Sequence, residues 1–200
     1  MLVIGLTGPT GAGKSVVSEI FAAHGIPVIA ADAVYHQLLI PPSACLNELV
    51  YTFGPQILNS DNTLNRRALG AIVFSDEAML LQLNAITHRY IRTSIKAKLE
   101  QLRRDGIRAA VLDAPQLFEA GADKLCNVIV SVLADRDTRL ERIMARDGID
   151  RESAMRRILS QKGDEFFRKH SSYVIENDRT PDSILPAIQK ILIEMGVAAP

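Results

Sequence analysis

The sequence lacks the features that identify disulfide-rich, metal-binding or membrane-spanning proteins. Its two cysteines, Cys45 and Cys126, have no close cysteine or histidine at the spacing of zinc ligands. Neither a disulfide framework nor a zinc site is therefore expected. No apolar run approaches the roughly 18 residues that a membrane span needs, and the first apolar run begins at Leu2 without a basic leader. These absences predict a cytoplasmic protein with no membrane partner.

An excess of charge of one sign is also missing. The 23 lysines and arginines balance the 23 aspartates and glutamates, so no overall field directs the protein to nucleic acid. Any anion site must therefore be local. The sequence also shows no internal repeat and no low-complexity segment. Two hundred residues, 48% of them hydrophobic, are enough for one well-buried core that carries an inserted subdomain.

What the sequence does contain is a complete phosphate-binding loop. Residues 8–15 read Gly-Pro-Thr-Gly-Ala-Gly-Lys-Ser and fill every fixed position of G-x-x-x-x-G-K-[ST]. An apolar run typical of a buried parallel strand precedes the loop, and residues with helical spacing follow it. A glycine turn that only caps a helix is the alternative. We predict that the nucleotide contacts Gly8, Thr10, Gly11, Ala12, Gly13, Lys14, Ser15 and Val16, and that the Ser15 hydroxyl binds Mg²⁺.

Two other apolar strands deliver a carboxylate at their ends. Residues 28–31 lead to Asp32, and residues 108–112 lead to Asp113. Ligands of open α/β sheets gather at the carboxyl ends of the strands. Asp113 is therefore predicted as a second Mg²⁺ ligand, as in other nucleotide-binding strands. For Asp32 two interpretations stay open: a functional carboxylate, or the N-cap of the helix that follows.

Strands alternate with helices along most of the chain, which predicts an α/β fold. We expect a five-stranded parallel sheet with helices on both faces, arranged as a single P-loop kinase domain over residues 1–200. The segment of about 33–105 is too long and too helical to be a single connection between two parallel strands. We therefore interpret it as a helical insert that binds the acceptor substrate. We expect a short helical lid over residues of about 136–168 and a final helix over residues 181–195.

Two rows of polar and charged side chains each permit two interpretations. The first row lies on one face of the helix predicted over residues 79–102 and consists of Asn84, His88, Arg92 and Lys96. It forms either a solvated surface or the wall of an anionic ligand site. The second row lies on the helix predicted over residues 135–147 and consists of Arg139, Arg142 and Arg146. It belongs either to a salt-bridged exposed hairpin or to a lid that stabilises a moving phosphoryl group.

Among the classes of P-loop protein, a switch-type GTPase fits the sequence poorly. The guanine-reading signature Asn-Lys-x-Asp does not occur, and the residues after Asp113 lack the glycine of the GTPase switch. A chaperone-like or transport ATPase would usually need a longer chain. The length fits a small-molecule kinase best.

Several further motifs give the sequence a more specific resemblance over nearly its whole length. In chain order they are Gly5 to Ser15, Ala31-Asp32, Phe53-Gly54, Leu64-Asn65-Arg66, Leu83-Asn84 with His88, Leu117-Phe118-Glu119, Arg142 with Arg146-Asp147, Arg157 with Gln161, and Val174 to Asn177. In these motifs the chain resembles the dephospho-CoA kinases, which catalyse the last step of coenzyme A synthesis. The resemblance implies transfer of the γ-phosphate of ATP to the 3′-hydroxyl of dephospho-CoA, giving coenzyme A and ADP.

The resemblance also implies roles for individual residues. Asp32 would act as the catalytic base, while Lys14, Arg142 and Arg146 would stabilise the transferred group, with Arg139 beside them. Asn177 would lie near the adenine of ATP. The acceptor would contact Asp32, Asn65, Arg66, His88 and Arg92. The alternative is another P-loop kinase that acts on a nucleoside-like or small alcohol acceptor, and a monomer or weak homo-oligomer is expected in either case.

The chain departs from the family pattern at several positions, including Asn62, which replaces the glycine of a usual Asp-Gly turn. Pro9 replaces a usual glycine of the loop, and Ala30 replaces the first aspartate of Asp-Ala-Asp. Arg89 replaces the proline after His88, and Gln116 replaces a leucine. Proline at position 9 should be tolerated if its N–H is not needed for phosphate binding. The other departures concern acceptor contacts more than ATP chemistry.

Overall fold

The computed structural model describes residues 1–178 and 184–197 of the chain. The strands are β1 (Leu2–Thr7), β2 (Val28–Ala30), β3 (Ala109–Asp113), β4 (Val128–Leu133) and β5 (Tyr173–Glu176). The helices are α1 (Lys14–Ala23), α2 (Ala31–Leu38), α3 (Ala44–Phe53), α4 (Arg66–Val73), α5 (Glu77–Arg104), α6 (Arg136–Asp147), α7 (Arg151–Leu159), α8 (Asp164–His170) and α9 (Leu185–Glu194). Short 3₁₀ turns cover Pro55–Ile57 and Asp123–Leu125.

The strands form one five-stranded sheet in the order β2-β3-β1-β4-β5. β1 pairs in parallel with β3 on one side and with β4 on the other, and β4 pairs in parallel with β5. Its central position explains why β1 is mostly apolar, since a strand covered on both faces has no solvent side. The register pairs Leu6 with Asp113. The carboxylate at the end of β3 therefore lies beside the residues where β1 ends.

The chain divides into two compact units. One unit contains Met1–Ile29 and the described residues from Leu102 onward, and the other contains Ala30–Gln101. In the first unit, alternate residues of the strands pack against α1 and α9, and the buried set includes Ile4, Leu6, Val17, Phe21, Val111, Val130, Val132, Ile188 and Leu192. Burying each such side chain stabilises the fold by about 1.5–3 kcal/mol.

The second unit has a core of its own. It consists of α2, α3, α4 and most of α5, and its buried side chains are Leu39, Cys45, Leu49, Phe53, Ile57, Leu69, Val73 and Ile86. Cys45 and Cys126 are both free. Burial raises the pKa of the Cys45 thiol to about 11 and that of Cys126 to about 12, so both are inert packing residues. No helix in residues 1–178 and 184–197 has the length and apolar character to cross a membrane.

The arginine-rich segment after β4 folds as more than an exposed hairpin. α6 and α7 pack on a small apolar cluster formed by Leu140, Ile143, Ala154 and Ile158. Several of its charges do pair at the surface, for example Arg156 with Glu152 at 2.6 Å. Arg139, in contrast, is only 4% exposed. The segment therefore combines a solvated face with a face that is turned inward.

The structure differs from the sequence-based prediction in several boundaries. α8 was not predicted, because its seven residues are too few to show helical periodicity. It is held instead by ring contacts, such as Phe118 against Phe166 at 5.1 Å between centroids. The predicted final helix begins at Leu185, and residues 181–183 lie outside the described part of the chain.

Candidate functional site

The predicted phosphate loop connects the end of β1 to the start of α1. Gly13 precedes α1 in the left-handed conformation, with φ of 85° and ψ of 29°, which favours glycine. A Cβ atom at this position would lie 2.1 Å from Nδ2 of Asn177. No other residue fits here without displacing Asn177, and this constraint accounts for the glycine before Lys14.

The backbone amides of the loop are divided between internal turns and free donors. The Ala12 N–H donates to the Pro9 carbonyl at 3.2 Å, and the Val16 N–H donates to the Gly13 carbonyl at 3.1 Å. Pro9 thus serves the turn through its carbonyl, and its missing N–H costs nothing there. Among the described residues, the amides of Gly11, Gly13, Lys14 and Ser15 have no hydrogen-bond acceptor. These four are available to a phosphate at the start of a helix.

Side chains hold the opposite, carbonyl side of the loop. Nδ2 of Asn177 donates to the Ala12 carbonyl at 2.8 Å. Nη1 of Arg142 lies 3.4 Å and 3.5 Å from the Gly11 and Ala12 carbonyl oxygens. Asn177 is 3% exposed, so in this conformation its side chain supports the loop. The contact of Asn177 with the adenine base stays a prediction.

Lys14 and Asp113 are joined by an ion pair. The Lys14 ammonium donates to Oδ1 of Asp113, and the Ser18 hydroxyl donates to Oδ2 at 3.0 Å. Both side chains are mostly buried, with 17% of the Lys14 side chain and 13% of the Asp113 side chain exposed. The pair orients Lys14 in the absence of a phosphate, and a bound phosphate would compete with Asp113 for the ammonium.

Ser15 and Asp113, the two residues predicted to bind Mg²⁺, provide few oxygen atoms for a metal ion. Ser15 is exposed in the first turn of α1, and both oxygens of Asp113 already accept hydrogen bonds. In the part of the chain that the structure describes, no three His, Cys, Asp or Glu side chains come together as a metal site. This arrangement fits Mg²⁺, which keeps several waters and is bound through one or two protein oxygens plus substrate phosphates.

Of the two arginines predicted to act on the transferred phosphoryl, Arg142 lies at the loop. Arg146, one turn later on α6, forms two parallel hydrogen bonds to the Asp147 carboxylate at 2.8 Å and 2.9 Å. These bonds lower the pKa of the Asp147 carboxyl, which also pairs with Arg157. Arg146 is 62% exposed along its side chain and would have to exchange Asp147 for a phosphoryl group.

Asp32 is the second residue of α2. The N-cap of this helix is Ala30, whose φ of −82° and ψ of 116° are extended, so the N-cap interpretation of Asp32 is wrong. A carboxylate in the first turn still favours the helix through its dipole. The Asp32 side chain is exposed. Among the described residues it has no hydrogen-bond or ion-pair partner, and its carboxylate is therefore available to a ligand.

The predicted acceptor residues all lie in the second unit. Oδ1 of Asn65 accepts the Ala68 N–H at 3.0 Å and so caps α4. Arg66 follows as the first residue of α4 and is exposed. His88 and Arg92 lie one turn apart on α5, and each takes part in interactions within the chain. The structure thus gives Asn65 a capping role that was not predicted.

Sequence reasoning missed two residues of the loop region that the structure reveals. Ser18 supports Asp113, and Gln161 accepts a hydrogen bond from the Thr10 amide at 2.8 Å. Ser18 could have been found, because it lies four residues after Lys14 on the same face of α1. Gln161 could not be assigned to this contact, since it lies 151 residues from Thr10 and nothing local indicates the pairing.

Known proteins are similar to this chain over most of its length. A family model described as dephospho-CoA kinase matches residues 2–182. A dephospho-CoA kinase of Geobacter sulfurreducens is 38% identical over 191 residues, covering 96% of this chain and 97% of that protein.

Two solved structures are similar along the whole chain. The crystal structure of TT1252 from Thermus thermophilus has a TM-score of 0.83 at 31% identity and covers 97% of both chains. A dephospho-CoA kinase from Campylobacter jejuni has a TM-score of 0.73 at 26% identity and covers 96% of both chains. Together with the sheet order, these similarities confirm the predicted P-loop kinase fold with a five-stranded parallel sheet.

Proposed function

The chain belongs to the dephospho-CoA kinase family, and on this premise we propose that it transfers the γ-phosphate of ATP to the 3′-hydroxyl of dephospho-CoA. The products are coenzyme A and ADP. The observation that carries this proposal is the loop of residues 8–15, whose free amides and lysine are arranged for a triphosphate within a chain matched over residues 2–182. Another small-molecule kinase activity is not favoured.

We assign ATP binding to the loop. The amides of Gly11, Gly13, Lys14 and Ser15 would surround the β-phosphate, while the Lys14 ammonium would move from Asp113 to the phosphate oxygens. The hydrogen bonds from Arg142 and Asn177 to the Ala12 carbonyl fix the direction of the Gly13 N–H, which belongs to the same planar peptide. ATP therefore meets donors that are already oriented, so little reorganisation is needed.

Ser15 and Asp113 are the residues that would hold Mg²⁺ together with the nucleotide phosphates. When bound, the ion would supply positive charge to the bridging oxygens of the triphosphate. Once Lys14 has moved to the phosphate, Oδ1 of the Asp113 carboxylate would be free to help hold the ion. Ser18 would continue to hold its second oxygen.

Asp32 is our candidate for the base that orients and deprotonates the acceptor hydroxyl. Its carboxylate is exposed at the start of α2, where it can accept a proton from an incoming hydroxyl. Arg66, His88 and Arg92 are assigned to the anionic groups of the acceptor. Asn65 is retained as an acceptor contact through its amide nitrogen, because its oxygen caps α4.

Arg142 is assigned to the transferred phosphoryl group, with Arg146 joining it after release from Asp147. Replacing Arg142 with alanine should lower kcat about 10²-fold, the effect of losing one charged donor in the transition state. The KM for dephospho-CoA should change little. Steady-state kinetics with Arg151→Ala, an exposed arginine of α7, as the matched control test this. A raised KM for dephospho-CoA at unchanged kcat would move Arg142 to the acceptor site.

The activity itself is tested by the choice of acceptor. We expect purified protein with Mg²⁺ and ATP to release ADP rapidly with dephospho-CoA, and at least about 10³-fold more slowly with adenosine or shikimate, since these lack the groups that orient the acceptor. A coupled ADP-release assay with the three compounds in parallel measures this. Preferred turnover of adenosine or shikimate would replace the proposed function with the alternative kinase activity.

The remaining features of the protein stay predictions. We expect a cytoplasmic enzyme that is a monomer or a weak homo-oligomer and that binds no nucleic acid, as its balanced charge indicates. Its two free, inert cysteines agree with a reducing compartment.

A further inference from the structure

Both peptide groups of Thr10 are bound by side chains from the segment after β4. Oε1 of Gln161 accepts the Thr10 N–H at 2.8 Å, and Nε of Arg139 donates to the Thr10 carbonyl at 2.9 Å. We propose that Arg139 and Gln161 are positioning residues that hold the phosphate loop in its binding conformation without touching the phosphate. This inference rests on the proposed binding of ATP to the loop.

The planarity of the peptide bond explains how these contacts act on the nucleotide. The Thr10 carbonyl and the Gly11 N–H belong to one planar trans peptide, so they point in opposite directions. By fixing the carbonyl, Arg139 fixes the direction of the Gly11 N–H, which has no acceptor among the described residues. Asn177 acts in the same way on the Gly13 N–H through the Ala12 carbonyl.

The backbone of Arg139 also lies directly against the loop. Gly11 has a φ of 79°, and a Cβ atom there would lie 2.7 Å from the Arg139 carbonyl oxygen. A side chain at position 11 would therefore push α6 away from the loop. The close approach lets the short Nε–carbonyl hydrogen bond form, so α6 and the loop keep a fixed distance.

The burial of Arg139 separates it from the arginines that can meet a phosphoryl group. The residue is 4% exposed, and its Nη1 lies 3.4 Å from Oδ1 of Asp164 on α8. Its Nη2 is buried and has no hydrogen-bond partner among the described residues. An apolar residue would avoid this unsatisfied donor. An arginine at position 139 is explained if its guanidinium is needed at Thr10, between the loop and α8.

The test measures binding and turnover separately. For Arg139→Met we expect the Kd of MgATP and the KM for ATP to rise about tenfold, the effect of losing one charged hydrogen bond that orients the site. We expect kcat and the KM for dephospho-CoA to stay within about threefold of the parent values. Arg156→Met is the matched control, because Arg156 is exposed on α7 and pairs there with Glu152 and Ser153, and it should change none of these quantities.

Two further variants keep the inference falsifiable if Arg139→Met folds poorly. Gln161→Leu removes the other contact to Thr10 from an exposed position and should also raise the Kd of MgATP. Arg139→Lys keeps one charged donor and should recover part of the affinity. Unchanged Kd in both Arg139→Met and Gln161→Leu, or a loss confined to kcat, would overturn the inference. Calorimetric Kd values decide it even if dephospho-CoA is not phosphorylated, a result that would overturn only the proposed function.

Discussion

Replacing Lys14 with alanine should reduce kcat/KM for ATP by about 10³-fold. The ammonium is the only full positive charge within the loop of residues 8–15. Removing one preorganised donor typically costs about 10²–10³-fold, and we expect the full charge of Lys14 to place its loss at the upper end of this range. Initial rates at varied ATP, with ADP release as the readout, measure the loss.

A loss of activity in Lys14→Ala must be separated from a loss of stability. Lys14 is the ion-pair partner of the mostly buried Asp113, so its removal leaves a carboxylate held only by Ser18. This should lower the free energy of unfolding by about 1–3 kcal/mol. For a chain of this length, the melting temperature should fall by about 2–4 °C for each kcal/mol.

The double variant Lys14→Ala/Asp113→Asn distinguishes a loss of activity from a loss of stability. It removes the unpaired charge, so we expect the melting temperature to recover while ATP use stays low. Lys190→Ala, an exposed lysine of α9, should leave both quantities unchanged. If the double variant regained activity along with stability, Lys14 would be a structural residue, and the assignment of ATP to this loop would have to be withdrawn.

The phosphate loop could be predicted from the sequence because its determinants are contiguous. The conformation of Gly13, the charge of Lys14 and the helix start at α1 all depend on neighbouring residues. Five strands could be predicted for a similar reason, since each is a short apolar run. The contacts that hold the loop could not, because Gln161 and Asn177 reach it only after β4, α7 and β5 have been placed by the fold.

Errors at the single-residue level came from element boundaries. β2 ends at Ala30, so α2 begins at Ala31 and Asp32 lies inside the helix, two positions after the N-cap residue. Asn65 shows the reverse case: its side chain caps α4, a role that asparagine before a helical pattern indicates. A functional role had been assigned to it from resemblance alone. A shift of one or two residues in a helix boundary decides whether a residue caps the helix, and the local sequence pattern does not locate boundaries that closely.

The departure at Ala30 bears directly on the catalytic assignment. The residue serves as the N-cap of α2 through its backbone alone, with no side-chain hydrogen bond. The chain therefore keeps one carboxylate, Asp32, where the family pattern has two. If proton transfer from the acceptor hydroxyl needs a carboxylate, no carboxylate at position 30 can replace Asp32. Replacing Asp32 should therefore abolish most of the phosphoryl transfer.

Asp32→Asn should accordingly lower kcat by about 10²–10⁴-fold, the usual contribution of a general base, while the KM for ATP stays within about twofold. Asparagine keeps the shape of the side chain and removes the proton acceptor. Asp32 is exposed and its side chain has no partner among the described residues, so the melting temperature should fall by no more than about 4 °C, through the lost helix-dipole interaction. Single-turnover measurements with saturating ATP and dephospho-CoA isolate the transfer step.

The matched control for this substitution is Glu77→Gln. Glu77 occupies the first turn of α5 as Asp32 occupies the first turn of α2, so both variants lose the same favourable interaction with a helix dipole, worth about 0.3–1 kcal/mol. Only Asp32→Asn should also lose the transfer step. Equal turnover in the two variants would exclude Asp32 as the base. It would mean that the Asp32 carboxylate, like that of Glu77, contributes only to the stability of its helix.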